Sequence, residues 1–298
     1  MHFGLILPSK RPGANPEAIL ATTQTAERLG WRSVWADDHI LVDRTDSAIY
    51  RHIYELITTM AWLGGQTSRI RLGTSVIVVP QRNAVITAKE LASIDALTGG
   101  RVVAGVGIGN NDREYRNLGM ADRFRVRGAF LDETIRLWRH LWSGSEEPFT
   151  GRFHDIPNAV MSPLPAQGGA LPIIVGGRSE HGVARAGRTG DGYQLSQNGP
   201  AGMAARLPGL RVAAEAAGRP VPPISARAQV YFGPPPADAT AAALHGTPDD
   251  IGRVIDEWIA LGLDELALDL DETDADRAVA KMERLHDEVL APRLTAAA

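Results

Sequence analysis

The 298-residue chain contains no cysteine. That removes disulfides, cysteine-containing zinc sites, iron–sulfur clusters and thiol nucleophiles together. Positive charge is not in excess either: 31 Lys plus Arg stand against 35 Asp plus Glu, a net charge of −4 with histidines neutral. Binding to nucleic acid through bulk positive charge is therefore excluded. Lysine is scarce, with only Lys10, Lys89 and Lys281 present. No apolar stretch approaches the ~20 residues that span a bilayer, and the opening MHFGLILPSKRPG has no basic segment before its short apolar run. A soluble, cytoplasmic protein without membrane or nucleic-acid partners is expected. With 44% hydrophobic and 22% charged residues, the chain has an ordinary globular composition.

Short β-rich runs alternate with segments of helical periodicity from end to end. Strands are expected at Phe3 to Leu7, Ser33 to Ala36, Ile70 to Val76, Arg101 to Val106, Pro172 to Val175, Gly192 to Leu195, Ser225 to Tyr231 and Glu265 to Leu270. Helices are expected near residues 16–29, 54–67, 84–97, 126–142, 180–189, 201–217, 248–261 and 274–290. Eight βα units with no linker between them predict an α/β fold, a single (β/α)₈ TIM barrel over residues 1–298. Longer loops are expected near 40–51, 107–125 and 143–171. A doubly wound open sheet is the alternative, but LPSKRPG after the first strand lacks its glycine fingerprint.

In such a barrel, chemistry sits on the loops after the strand C-termini. Asp37, Asp38 and His39 follow strand two, so a carboxylate beside an imidazole reads either as an acid–base or cofactor-contact pair or as a cap beside a half-exposed histidine. Strand three ends in Gly73-Thr74-Ser75-Val76, small enough for a flat ligand to approach, or simply close-packed. Strand four ends in GVGIGNNDRE, which lacks the Gly-Lys-Ser/Thr ending of a nucleotide triphosphate loop. Val175-Gly176-Gly177-Arg178-Ser179 leads straight into a helix, and its free backbone donors with an arginine and a hydroxyl favour anion binding over a plain capped turn.

Other barrel chemistries lack their residues. There is no H-x-H or H-E-x-x-H for a metal hydrolase, and no lysine at a strand end for a Schiff base. Paired carboxylates facing each other across a pocket, as a glycosidase requires, are missing too. A pocket poor in nucleophiles, with an anion site and close-approach glycines, fits a reaction carried by a cofactor.

Several segments carry a resemblance: FGLILPS, GWRSVWADDH, RLGTSVIVVPQRNAVITAKELASIDALTGGR, GVGIGNNDREYRNLG and PIIVGGRS with GRTGDGY. Together the chain resembles the bacterial luciferase-like flavin and deazaflavin oxidoreductases over nearly its whole length. The resemblance implies a barrel holding coenzyme F420, or alternatively FMN, with its ring over the strand ends. Ser75 and Val76 fall where the family has a non-proline cis peptide supporting that ring. His39, with Asp38, falls near the reacting edge as the catalytic pair. Asn111 falls near a cofactor contact, and Gly176, Gly177, Arg178 and Ser179 fall on the phosphate site. Asn110 stands where many relatives have an aromatic residue or glutamate, and Arg178, Arg185 or Arg188 would replace phosphate-binding lysines. The implied activity is hydride transfer between F420 and a small organic substrate. The alternatives are an FMN monooxygenase using oxygen and reduced flavin from a partner reductase, and a non-catalytic flavin-binding protein. A homodimer is also implied.

Overall fold

The first strand, β1 (His2–Ile6), is buried at every residue after His2, as expected of a parallel strand covered on both faces. The computed structural model describes residues 1–295. Seven further strands follow: β2 (Ser33–Ala36), β3 (Arg71–Thr74), β4 (Val102–Gly107), β5 (Ile173–Gly176), β6 (Gly192–Leu195), β7 (Ile224–Phe232) and β8 (Glu265–Asp269). Each pairs in parallel with the next, and β8 pairs with β1. The sheet is thus closed and has no open edge, the TIM barrel expected from the alternation.

The outer helices are α1 (Pro16–Arg28), α2 (Leu56–Gln66), α3 (Ala84–Thr98), α4 (Arg123–Trp142), α5 (Glu180–Thr189), α6 (Leu207–Ala216), α7 (Pro248–Ala260) and α8 (Ala275–Leu285). Local chemistry sets their ends. Asn15 caps α1 ahead of Pro16, and Gly99 closes α3 in the left-handed region. Thr247 and Asp250 form a reciprocal capping box on α7. Among the described residues, no helix is long and apolar enough to cross a membrane.

Two elements differ from the sequence reading. The run expected to continue to Val76 stops at Thr74, because the Ser75–Val76 peptide is cis and pairing resumes only at Ile77–Val78. The helix expected over 201–217 is two, Pro200–Ala204 and α6, since Pro208 starts a new helix rather than continuing the old one. Arg206 sits at that break.

The long loops carry small elements of their own: a turn of helix at Ala48–Arg51, another at Asp112–Asn117, and an antiparallel pair of Phe149–Thr150 with Asp155–Ile156. They are tied together over the C-terminal mouth of the barrel. Asn111 Nδ2 donates to Asp46 (2.7 Å), Asn117 Nδ2 to the Leu41 carbonyl (3.1 Å), and the Arg11 N–H to the Ile49 and His52 carbonyls (both 2.8 Å). Trp142 is packed in the core with its indole N–H on the Ala88 carbonyl.

Candidate active site

The strand C-termini enclose a cavity of about 720 Å³. His39, carried just beyond β2, lies on its wall. Its Nδ1 is 2.9 Å from Glu114 Oε2, and the other oxygen of Glu114 accepts the Ile40 N–H at 2.7 Å. Burial alone would lower the imidazole pKa. The hydrogen bond and charge of Glu114, with Asp37 and Asp38 nearby, outweigh burial and raise it. Burial would likewise raise the Glu114 carboxyl, but the bond from His39 holds it below its usual range. The Tyr50 ring packs on the imidazole, with centroids 4.4 Å apart. Glu114 escaped the sequence reading because only folding brings a first-turn acid of the helix after β4 against the end of β2.

Asp38 is not the partner of His39 that the sequence suggests. Arg82 grips its carboxylate through Nε (3.0 Å) and Nη2 (2.5 Å), and one oxygen also accepts the Val78 N–H (2.8 Å). With both oxygens engaged, Asp38 anchors the strand-three bulge, and Glu114 takes the place assigned to it beside the imidazole. Asn111 also moves out of the expected set. Its side-chain oxygen caps the helix Asp112–Asn117 and its nitrogen holds Asp46, whereas its neighbour Asn110 lines the cavity.

The cis peptide between Ser75 and Val76 is the one the resemblance implies. It directs Val76 between two backbones. A Cβ on Gly176 would meet Val76 Cγ1 at 2.5 Å, and one on Gly107 would collide with Val76 Cγ2. Gly176 is therefore glycine to seat a side chain, while Gly177 is needed where the turn passes Gly182, 3.3 Å from a Cβ placed there. Ser75 Oγ donates to Gln194 Oε1, leaving the buried Gln194 Nε2 without a partner. The Ser75 carbonyl accepts from Arg227. Arg227 in turn pairs with Asp37 (2.7 Å), which also holds Lys10 (2.6 Å). Burial would raise the Asp37 carboxyl, but Arg227 and Lys10 keep it well below the usual carboxylate range.

At the β5 and β6 side the wall is basic. Ser179 caps α5 by accepting the Gly182 N–H (3.2 Å). Arg178, Arg206 and Arg127 line the cavity, and among the described residues no carboxylate lies within 4.0 Å of their charged nitrogens. Arg206 instead bonds the Arg178 and Gly202 carbonyls, and Arg127 keeps a buried Nε without a partner. Of the arginines proposed to replace lysines, Arg185 lines the cavity but is held by Asp132 (2.6 Å), and Arg188 lies outside the wall. Uncompensated arginines beside a helix N-terminus suit a phosphate. The unpartnered amide of Gln194, at the cis bulge, suits a heterocyclic carbonyl. The residues present thus fit a phosphate-bearing flavin or deazaflavin.

Comparison with known proteins agrees with this architecture. Residues 1–292 match the luciferase-like monooxygenase family. The chain is 32% identical over 197 residues to the F420-dependent glucose-6-phosphate dehydrogenase of Kineococcus radiotolerans, a stretch covering 65% of this chain and 57% of that one. It is also 32% identical over 231 residues to the F420-dependent hydroxymycolic acid dehydrogenase of Mycobacterium tuberculosis, covering 76% and 62%. The chain thus spans less than two thirds of either relative. In fold it is similar to an F420-dependent secondary alcohol dehydrogenase solved with an F420–acetone adduct (TM-score 0.83, 18% identity, 97% of this chain and 98% of that one). It is also similar in fold to the monooxygenase RslO1 of Streptomyces bottropensis (TM-score 0.81, 23% identity, 99% and 100%).

Proposed function

This chain belongs to the luciferase-like monooxygenase family, and from that premise we propose that it is an F420-dependent oxidoreductase acting on a small organic substrate. One observation carries the reading: His39, hydrogen-bonded to Glu114, stands on the wall of a cavity that arginines without carboxylate partners also line. The relatives named as F420-dependent dehydrogenases support F420 over FMN.

Bound F420 supplies the hydride chemistry. The protein's own residues do the rest. Arg178, Arg206 and the N-terminus of α5 would hold its phosphate, and the unpartnered Gln194 Nε2 would donate to its ring system. The imidazole of His39 exchanges the substrate proton through Nε2, because Nδ1 is occupied by Glu114. Glu114 is a positioning residue that fixes the ring and steadies its positive charge. Asp38, through Arg82, and Asp37, through Arg227, hold the loops that carry His39 and the cis bulge. The reading includes a homodimer, for which exposed Trp62 on α2 and Ile86 and Leu97 on α3 offer apolar surface; sedimentation velocity tests it.

The experiment for the main reading is an anaerobic fluorescence titration of the purified protein with oxidised F420 and, separately, FMN. Saturable binding of F420 in preference to FMN is expected. The reverse preference would make oxygen the co-substrate and a flavin reductase the partner, and binding of neither would overturn the reading.

A further inference from the structure

The end of the barrel opposite the candidate active site holds a chamber of about 230 Å³ between the strand N-termini. The pleat decides what lines it. On β3, Leu72 turns toward Gly64 of α2, so Arg71 and Gly73 turn into the barrel, in register with Ser33 and Trp35 of β2. Glycines make room for the indole: a Cβ on Gly73 would collide with the Trp35 ring, and one on Gly4 would lie 2.9 Å from its Nε1. Trp35, Val103, Ile174 and Ile224 give the chamber an apolar wall.

Most of the charge around it is paired. Asp264 accepts from Arg32 Nη1 at 2.8 Å. Asp191 is held by Arg139 and Arg219 and accepts the Ile173 N–H at 2.9 Å. Two groups are left over. The half-buried guanidinium of Arg71 makes no hydrogen bond and pairs with no carboxylate among the described residues. Burial, together with the charge of Arg32, pulls its pKa down, so a cation is kept here without a counterion. The second is one oxygen of the buried Glu265. Ser33 Oγ and Trp35 Nε1 (2.7 Å) both donate to Oε1, whereas Oε2 has only Arg32 Nε at 3.7 Å, beyond hydrogen-bond reach.

A simple anion entering the chamber would gain Arg71 but face Glu265 and Asp264, and a simple amine would gain Glu265 but face Arg71 and Arg32. A ligand carrying both charges satisfies both open groups. The planar guanidinium suits a carboxylate, and the free carboxylate oxygen suits an ammonium. An apolar cavity of about 150 Å³ accepts a benzene ring, so this larger one has room for a branched aliphatic side chain against the apolar wall.

We propose that this chamber binds a free apolar α-amino acid, its carboxylate on Arg71 and its ammonium on Glu265 Oε2. No residue lines both this chamber and the cavity at the strand C-termini. The site is thus independent of the deazaflavin reading, and either can fail without the other.

The test is calorimetry on the full chain without added cofactor, using L-leucine as the probe. Isocaproate and isoamylamine, which are leucine without its ammonium and without its carboxylate, are titrated beside it. Saturable binding of leucine is expected, with each analogue weaker by at least about tenfold, the loss of one charge-assisted contact. Arg71→Gln should weaken leucine to the same degree. No saturable heat from leucine would overturn the proposal, as would isocaproate binding as tightly as leucine or unchanged affinity in folded Arg71→Gln. A measurement on the wild-type chain keeps the test open if that variant folds poorly: leucine should shift the assigned Trp35 indole N–H resonance, saturating at the calorimetric affinity. Heat with an unmoved Trp35 resonance would place leucine elsewhere and equally overturn the proposal.

Discussion

His39 takes its charge state from a side chain 75 residues away. Burial favours the neutral ring and Glu114 the charged one, and Glu114 prevails, so the proton is kept to a pH above the ordinary histidine value of 6.5. A neutral base that accepts a proton as the substrate is oxidised therefore accumulates only as pH rises through this raised pKa. The kcat/KM for substrate oxidation should climb through a midpoint above 6.5, and that for the reverse reduction should fall over the same window. In Glu114→Gln the stabilising anion is gone while the shape is kept, so burial dominates and the midpoint should move to lower pH. Profiles measured in both directions decide this, and a midpoint that stays in place would separate Glu114 from proton handling. His39→Gln should lower kcat by roughly 10²- to 10⁴-fold, the usual contribution of a general acid–base group, while F420 affinity measured by fluorescence changes little. A matching loss of affinity would instead make His39 a binding residue.

At the scale of elements, the site depends on close passages of backbone at the ends of β3, β4 and β5. Gly107 and Gly176 leave room for the two methyl groups of Val76. Gly176→Ala overpacks this passage at a cost of about 1–3 kcal/mol to the fold, and the displaced bulge should weaken F420 binding. Adding Val76→Ala removes the colliding methyl and should restore most of the affinity; titrations showing no rescue would mean that Gly176 acts on the cofactor directly. At the next turn, Arg178→Ala or Arg206→Ala should cost about 1–3 kcal/mol of cofactor affinity, the range for charge-assisted hydrogen bonds. Ser179→Ala should mainly cost about 1 kcal/mol of fold stability as a lost cap.

These elements also mark where the sequence was readable. The glycines signal close approach by their lack of a side chain, and strand, Gly-Gly, Arg, Ser and helix signal an anion site by their order. What approached Gly176 was hidden, because only folding brings Val76, from the end of β3, against the end of β5. Arg206 was hidden for a similar reason: helical spacing ran on through residues 201–217, while Pro208 restarts the helix and leaves Arg206 at the break.

At the scale of the whole molecule, alternating βα patterns were enough to foresee the barrel, since local periodicity determines which elements form and the crossover rule how they close. Ion pairing across the barrel had no such local trace. In the sequence Lys10 was only one of three lysines, and Asp37 only the neighbour of Asp38-His39. In the folded protein Asp37 joins the loop after β1, the end of β2 and the middle of β7 through Lys10 and Arg227. The side chains of Lys10, Asp37 and Arg227 are 7%, 11% and 17% exposed, so this is a buried network. Removing only the anion strands Arg227 in low dielectric and leaves Lys10 with Asp269 alone, 3.4 Å away. Asp37→Asn should therefore destabilise the fold by about 3–5 kcal/mol at pH 7, the range for breaking a buried pair. The loss should appear as a lower urea midpoint with an unchanged slope. Its pH dependence follows from the depressed pKa of Asp37. The contribution is complete above the ordinary aspartate value of 3.8 and is lost as pH falls through the lower folded value. The wild-type and Asp37→Asn midpoints should thus differ fully at neutral pH, begin to converge only as pH falls below about 4, and meet only below the depressed folded value. A gap that persists unchanged into acid would mean that Asp37 stabilises the barrel through its shape and hydrogen bonds, with its charge contributing nothing.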